Sequence, residues 1–168
     1  MTAMAARTRT GSVKAGRSET MPASVLFVCN LNAIRSPIAE ALLKKSHGAR
    51  IFIDSAGVSP AEEGDPFAAE VLREAGVDIS HREPKSIGEI DDVTSFDLIV
   101  ALTPEAKEKA EALTRSSATD VEYWEIADPL ASPTGGNRER RLAAYRELRD
   151  AIARRIESRF GSASSATG

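Results

Sequence analysis

Residues 25–37 read Val-Leu-Phe-Val-Cys-Asn-Leu-Asn-Ala-Ile-Arg-Ser-Pro, and this stretch decides the fold. The first four residues are apolar and largely favour strands, which predicts a buried parallel strand that ends at Cys29. Ser36 and Pro37 are typical of the N-cap and the first position of a helix. The stretch therefore predicts a strand, a tight loop and a helix that begins beside the loop.

A loop between a strand and a helix N-terminus can bind an anion. Backbone N–H groups of the loop and the positive end of the helix dipole converge on one point. These donors would stabilise the thiolate of Cys29, the only cysteine in the chain, and make it a nucleophile. Arg35 can bind two oxygens of a tetrahedral anion. The backbone groups predicted to contact the anion belong to Asn30, Leu31, Asn32, Ala33, Ile34 and Arg35.

The run Val-Leu-Phe-Val-Cys-x-x-Asn-x-x-Arg-Ser-Pro-Ile-Ala-Glu-Ala closely resembles the low-molecular-weight protein tyrosine phosphatases, a family that includes thioredoxin-coupled arsenate reductases. The resemblance implies that Cys29 attacks phosphorus and that Arg35 holds the phosphoryl oxygens. Asp128 matches the Asp-Pro dipeptide of the family's acid loop, which makes it the predicted general acid. The resemblance also implies a hydrogen-bond network that joins Asn32, Ser36, Ser55 and His81. Asn32 tolerates the left-handed backbone expected in mid-loop.

Strand-like and helical segments alternate along the chain. Strands are predicted over 25–28, 50–54, 96–101 and 121–124. Helices are predicted after Ser36, along Leu142 to Ile156, and after Asp65 and Thr103, each of which is predicted to cap its helix. Such alternation predicts an α/β fold, here a single three-layer domain with a four-stranded parallel sheet between helices. The family resemblance implies the strand order 2-1-3-4. His47 has no family counterpart and is predicted to lie on the surface.

Composition limits the classes of protein that the chain could be. Residues 1–22 carry four basic side chains and one acidic, a net charge of +3 within a total of -3, so the remainder is acidic and no nucleic-acid partner is expected. We predict a disordered basic tail over 1–22, a domain over 23–160 and a disordered tail over 161–168. No apolar run is long enough to span a membrane. One cysteine fits a reducing cytoplasm, and the scattered histidines predict no metal and no cofactor.

The chain departs from the family pattern in three respects. Leu31 replaces the usual loop glycine, and a left-handed backbone there would cost a non-glycine residue about 1–2 kcal/mol. Ile34 replaces a second loop cysteine that could protect Cys29 as a disulfide. Leu130 and Ala131 stand where aromatic residues usually line the pocket, and residues 58–66 contain no aromatic residue either. Stacking on a phosphotyrosine ring would therefore be poor.

The sequence thus predicts a cysteine-dependent phosphatase that hydrolyses phosphate monoesters through a cysteinyl-phosphate intermediate. Its expected partner is a phosphorylated protein, with phosphotyrosine as one candidate, or a small phosphate monoester. The oligomeric state is left open. Two alternatives remain: an arsenate reductase that uses an external thiol, because the further cysteines of the internal relay are absent, or a phosphate-sensing module with little turnover.

Overall fold

A computed structural model of the chain describes residues 21–131 and 137–162. Its strands are β1 (Ser24–Cys29), β2 (Phe52–Gly57), β3 (Leu98–Ala101) and β4 (Asp120–Tyr123). Its α-helices are α1 (Arg35–His47), α2 (Pro66–Glu74), α3 (Pro104–Leu113) and α4 (Arg138–Phe160). Two short 3-10 helices, Ile87–Glu89 and Val93–Ser95, lie between α2 and β3.

The four strands are parallel and lie in the order β2-β1-β3-β4, which confirms the predicted α/β class and the order 2-1-3-4. Cys29 at the end of β1 is in register with Gly57 at the end of β2. Val28 is likewise in register with Ala101 at the end of β3. The carboxyl ends of three strands therefore meet at one edge, where ligands bind in open parallel sheets.

The side chains of β1 alternate between two apolar layers. Val25 and Phe27 pack in the cluster that includes residues of α1, α2 and α4. Leu26 and Val28 pack in a second cluster with residues of α3 and the 3-10 helices. All four side chains are fully buried. Helices on both faces of the sheet thus explain why β1 is apolar without interruption, and they confirm the three-layer architecture.

Two predicted helix caps are present, and one is not. Asp65 accepts hydrogen bonds from the backbone of α2, and Thr103 accepts one from the backbone of α3. The prediction of Ser36 as the N-cap of α1 is wrong, because this helix begins at Arg35 and its N-cap position is Ile34. The hydroxyl of Ser36 contacts Cys29 and Asn32 instead, so it is engaged inside the loop.

The surface prediction for His47 is also wrong. Its side chain is 2% exposed at the end of α1. Nε2 lies 3.1 Å from the backbone oxygen of Phe160 at the end of α4, and Nδ1 lies 2.7 Å from Oγ of Ser46. The histidine is therefore a packing residue whose two ring nitrogens both contact polar partners, as burial of a polar group requires.

The predicted tails lie mostly outside the described residues, since residues 1–20 and 163–168 are not among them. No helix in the described parts of the chain is both long and apolar enough to cross a membrane. Within residues 21–131 and 137–162, no three acidic, histidine or cysteine side chains gather as a metal site would require.

Candidate active site

The loop between β1 and α1 surrounds the sulfur of Cys29. This side chain is 3% exposed. The backbone N–H of Asn32 donates to Sγ at 3.2 Å, and Oγ of Ser36 lies 3.0 Å from the same atom. The sulfur therefore lies at the N-terminus of α1 with a backbone donor and a hydroxyl beside it, an environment that stabilises a thiolate.

Asn32 has the left-handed backbone that the sequence predicts, with φ of 54°. Among the described non-glycine residues, it is the only one with a positive φ. Its Nδ2 donates to Oγ of Ser36 at 2.8 Å and to Oγ of Ser55 at 3.1 Å. Its Oδ1 accepts from the backbone N–H of Lys85 at 2.9 Å. Asn32 therefore links the loop to β2 and to the segment before the first 3-10 helix.

The structure brings Ser36 and Ser55 into this network but leaves His81 outside it. His81 is exposed, whereas the guanidinium of the next residue, Arg82, donates to Oδ1 of Asn32 at 2.8 Å and to Oγ of Ser55 at 2.6 Å. The resemblance to the family implied a contact by His81. Arg82 makes it in this chain, because its planar fork offers several donors at once and is long enough to reach both oxygens.

Leu31 does not adopt the strained conformation considered for it. The left-handed residue is Asn32, one position later, and the side chain of Leu31 is 47% exposed. Its backbone oxygen accepts from the N–H of Ala61 at 2.9 Å. Ala33 and Ile34 turn the other way and are buried in the core. A glycine is therefore not required at position 31 by the backbone.

The end of β2 packs directly against the loop. The N–H groups of Val58 and Ser59 donate to the backbone oxygens of Cys29 and Asn30 at 2.9 Å and 2.8 Å. A Cβ atom on Gly57 would lie only 2.7 Å from the backbone oxygen of Asn30, closer than real contacts allow. Glycine is required at this position because the backbone of β2 touches the loop directly.

Arg35 connects the loop to the segment that carries Asp128. Its Nη1 donates to the backbone oxygen of Ile126 at 3.0 Å, two residues before Asp128. Asp128 is half-buried, and its Oδ1 accepts from the N–H of Leu130 at 2.9 Å. Leu130 itself is half exposed. The arginine predicted to hold the phosphoryl group is thus tied to the loop of the predicted acid.

Tyr145 of α4 contacts Asp65, the N-cap residue of α2. The hydroxyl of Tyr145 donates to Oδ2 of Asp65 at 2.9 Å. Burial raises the pKa of Tyr145 well above its usual value, and the hydrogen bond to Asp65, together with the charges of Asp65 and Asp128, raises it further, while Arg141 opposes the change. The sequence analysis missed this contact, since it assigned Asp65 only to a helix cap.

A groove of about 810 Å³ lies beside the loop. Of the loop residues 29–35, only Ala33 lines it, so the groove flanks the cysteine and does not cover it. Arg73, His81 and Arg82 contribute its basic groups. Its carboxylates belong to Glu62, Glu63, Asp65, Glu70 and Glu83. The groove is therefore polar and carries more acidic than basic side chains.

Sequence reasoning missed Arg82, Glu40 and Lys85 as members of the site. Glu40 could have been found, because it follows Ser36 by four residues and so lies on the same side of α1. Arg82 and Lys85 lie in an irregular stretch where no periodicity indicates which side chain faces the loop. Their contacts depend on how this stretch packs against β1 and α1.

Comparison with known proteins agrees with this geometry. A thiol held in a loop between a parallel strand and a helix, with an arginine at the helix start, defines a cysteine-dependent phosphatase. Residues 24–163 match the family model of the low molecular weight phosphotyrosine protein phosphatases, and the chain belongs to this family.

The relatives within the family differ in activity. The chain is 37% identical over 144 residues to a protein-arginine-phosphatase of Geobacillus stearothermophilus, a match that covers 79% of this chain and 90% of the relative. It is 31% identical to an arsenate reductase of Bacillus licheniformis, over 80% of this chain and 92% of the relative. A crystal structure of a low molecular weight protein tyrosine phosphatase from T. tengcongensis is 29% identical, with a TM-score of 0.64 over 80% of this chain and 95% of that one.

Proposed function

We propose that Cys29, Arg35 and Asp128 divide the phosphatase reaction among them. The observation that carries this proposal is the pair of groups within 3.2 Å of the Cys29 sulfur, the Asn32 N–H and the Ser36 hydroxyl. In the first step the thiolate attacks phosphorus in line, so that the S–P bond forms as the bond to the leaving group breaks. Asp128 donates its proton to the leaving atom. Arg35 and the loop N–H groups hold the equatorial oxygens.

The second step hydrolyses the cysteinyl-phosphate. Asp128, now ionised, accepts a proton from water, whose oxygen attacks phosphorus while the S–P bond breaks. The sulfur leaves as a thiolate, and the Ser36 hydroxyl stabilises it there. Neither step needs a metal, since the guanidinium of Arg35, the helix dipole and the backbone donors supply positive potential around the phosphoryl group.

Hydrolysis of para-nitrophenyl phosphate across pH tests these assignments. We expect Cys29→Ser to abolish turnover and Asp128→Asn to lower kcat by about 100- to 10,000-fold, the usual contribution of a general acid. Asp91→Asn, at an exposed position outside the site, is the matched control. Folded wild-type protein that binds phosphate or vanadate without turnover would contradict the proposal and favour a phosphate-sensing role.

We propose that the substrate is a phosphorylated protein side chain, with phosphoarginine preferred over phosphotyrosine. The relative from Geobacillus stearothermophilus carries the name of an arginine phosphatase. Leu130 and Ala131 follow the acid where an aromatic residue would favour a phosphotyrosine ring. The acidic groove beside the loop suits the guanidinium part of phosphoarginine and a basic flanking peptide.

Two peptides of one sequence, phosphorylated on arginine or on tyrosine, test the preference. We expect a higher kcat/KM for the phosphoarginine peptide. A higher kcat/KM for the phosphotyrosine peptide would overturn this preference and leave the cysteine mechanism intact. Glu62→Gln and Glu63→Gln together should weaken binding of the phosphoarginine peptide by raising KM, with little change in the hydrolysis of para-nitrophenyl phosphate.

Arsenate reduction is the second candidate, because the relative from Bacillus licheniformis is named for it. The chain has one cysteine, so the electrons would have to come from an external thiol. Consumption of glutathione or reduced glutaredoxin that depends on arsenate and on Cys29 would support this activity. We place either reaction in the cytoplasm, where thiols are kept reduced, and cell fractionation tests this location.

A further inference from the structure

A carboxylate is buried directly behind the loop. Glu40, one turn after Ser36 on α1, is 7% exposed. Its Oε1 accepts from Oγ of Ser55 at 2.6 Å and from Nε of Arg82 at 3.3 Å. Its Oε2 accepts from Nζ of Lys44 at 2.6 Å. Buried carboxylates are costly unless they are paired, and among the described residues the cation that reaches this one from outside α1 is Arg82.

The guanidinium of Arg82 also donates hydrogen bonds to both oxygens of Asn32. Nη2 donates to Oδ1 at 2.8 Å, and Nη1 donates to the backbone oxygen at 3.3 Å. Nη2 also donates to Oγ of Ser55, and the hydroxyl of Ser55 in turn donates to Glu40. The side chain of Arg82 is 18% exposed. One arginine therefore joins the loop, β2 and α1 through a continuous set of charge-assisted hydrogen bonds.

These contacts bear on the reacting atom through Asn32. The left-handed conformation of Asn32 turns its N–H toward Sγ of Cys29, and its side-chain amide directs the Ser36 hydroxyl to the same sulfur. A left-handed non-glycine residue is unfavourable by itself and persists where its surroundings hold it. Two donors to the side-chain oxygen of Asn32, the guanidinium of Arg82 and the backbone N–H of Lys85, favour this orientation of its amide.

We propose that Arg82 is a positioning residue that keeps the loop in the form that stabilises the Cys29 thiolate. Glu40 fixes the guanidinium, and the guanidinium fixes Asn32, whose N–H contacts the sulfur. The proposal rests on Cys29 as the nucleophile of the proposed function. Arg82 lines the groove, and we assign its effect on the hydrolysis of a small phosphoester to its contact with Asn32 and, through Asn32, to Ser36.

Alkylation of Cys29 by iodoacetamide across pH tests this role directly, because it measures thiolate without requiring turnover. The variants are Arg82→Gln, which removes the charge, and Arg82→Lys, which keeps the charge and loses the fork. Arg154→Gln is the matched control, since Arg154 is an exposed arginine of α4 and does not line the groove. His81→Ala serves as a comparison, because the family resemblance implied that His81 contacts Asn32 where Arg82 does so in the structure.

We expect Arg82→Gln to move the alkylation profile to higher pH and to lower kcat for para-nitrophenyl phosphate by about 10- to 100-fold, the effect of losing a charge-assisted hydrogen bond. Arg82→Lys should restore part of the loss, and Arg154→Gln should match the wild type. A purely structural role would lower the melting temperature and leave the alkylation profile of the folded protein unchanged, which would overturn the proposal.

The test stays decisive if Arg82→Gln does not fold. Arg82→Lys then carries the comparison, and a wild-type alkylation profile for it, together with a shifted profile for His81→Ala, would assign the role to His81 and reject Arg82. A shifted profile for Arg82→Lys supports the proposal. If wild-type protein alkylates at Cys29 but hydrolyses no phosphoester, the proposed function fails while the positioning role of Arg82 can still be supported or rejected.

Discussion

The hydroxyl of Ser36 lies 3.0 Å from the sulfur of Cys29, and the direction of its hydrogen bond is set by Asn32. Nδ2 of Asn32 donates to Oγ of Ser36 at 2.8 Å. With an acceptor site of Oγ occupied in this way, the hydroxyl proton is available to point at the sulfur. The amide thus donates to the hydroxyl and the hydroxyl donates to the thiolate, an ordered chain of hydrogen bonds that ends at the reacting atom.

Replacement of Ser36 by alanine tests this chain. The thiolate loses one of its donors when it leaves phosphorus, so we expect kcat to fall by about 10- to 100-fold, with a parallel fall in KM. Rapid-quench measurement should show a larger burst of released phenol, because breakdown of the cysteinyl-phosphate becomes slower. Ser158→Ala, on the exposed face of α4, is the control. Equal loss in both variants would argue against a specific role for Ser36.

Two substitutions at Asn32 separate its backbone role from its side-chain role. Asn32→Gly keeps the left-handed conformation accessible and removes the amide, whereas Asn32→Ala removes the amide and adds strain. We expect the alanine variant to be less stable than the glycine variant by about 1–2 kcal/mol. Both variants should lose activity, because Ser36 and Ser55 lose their shared donor. Denaturant unfolding measures the difference, and equal stabilities would contradict the assigned strain.

Tyr145 should ionise only at unusually high pH. Burial, and then the hydrogen bond to Asp65, raises its pKa in the folded protein. The chain has two tyrosines, so a Tyr123→Phe variant leaves Tyr145 as the single reporter in an ultraviolet titration. We expect no phenolate signal near pH 10 while this variant is folded. An ordinary titration near pH 10 would contradict the buried contact.

The same pKa shift predicts how stability changes with alkaline pH. Because the folded pKa of Tyr145 is raised, its contribution to stability is complete below the pKa of the unfolded chain, about 10, and is lost above it. Unfolding experiments should therefore show a steeper alkaline loss of stability for wild type than for Tyr145→Phe. At neutral pH the phenylalanine variant should be less stable by about 0.5–1.5 kcal/mol, the usual worth of one hydrogen bond.

Glu74 should make the stability of the fold depend on pH in the acid range, as Tyr145 does in the alkaline range. The hydrogen bond from Arg146, with a further one from Arg149, lowers the pKa of Glu74 from 4.5 to about 2 and ties α2 to α4. Its contribution to stability is therefore present above pH 4.5 and is lost as pH falls toward 2. Glu74→Gln should lower the melting temperature by a few degrees at pH 7, and the difference should disappear near pH 2.

The control for this prediction is Glu147→Gln. Glu147 is an exposed carboxylate on α4. We expect Glu147→Gln to have the melting temperature of the wild type at both pH 7 and pH 2. Since Glu74 is itself near the surface, added salt should reduce its effect by screening the ion pairs. A difference between Glu74→Gln and wild type that persists unchanged at pH 2 would show that packing, and not charge, is responsible.

Local features of the site could be predicted from the sequence. Contacts from β2 and Arg82 hold the loop in its final form. The strand, the cysteine and the arginine nevertheless follow each other within 13 residues, so the local sequence indicates their arrangement as a strand, a loop and a helix start. The left-handed Asn32 was predicted for the same reason. The strand order came from the family resemblance, because hydrophobic periodicity does not indicate which strands are neighbours.

Features that depend on distant contacts could not be predicted. His47 is buried because the end of α4 packs against it, and residue Phe160 is far away in the chain. Arg82 enters the site instead of His81 because an irregular segment places one side chain inward and its neighbour outward. Neither outcome follows from the residue types, since histidine and arginine in polar segments are usually exposed.

The direct contact of β2 with the loop limits which residues the chain can accept at its catalytic edge. Position 57 has no room for a Cβ atom, while the side chain at position 31 extends into solvent. A saturation library selected for phosphatase turnover should therefore return glycine alone at 57 and a wide range of residues at 31. Substrate preference is free to diverge at the outer face of the loop, whereas its inner face cannot change without rebuilding the neighbouring strand.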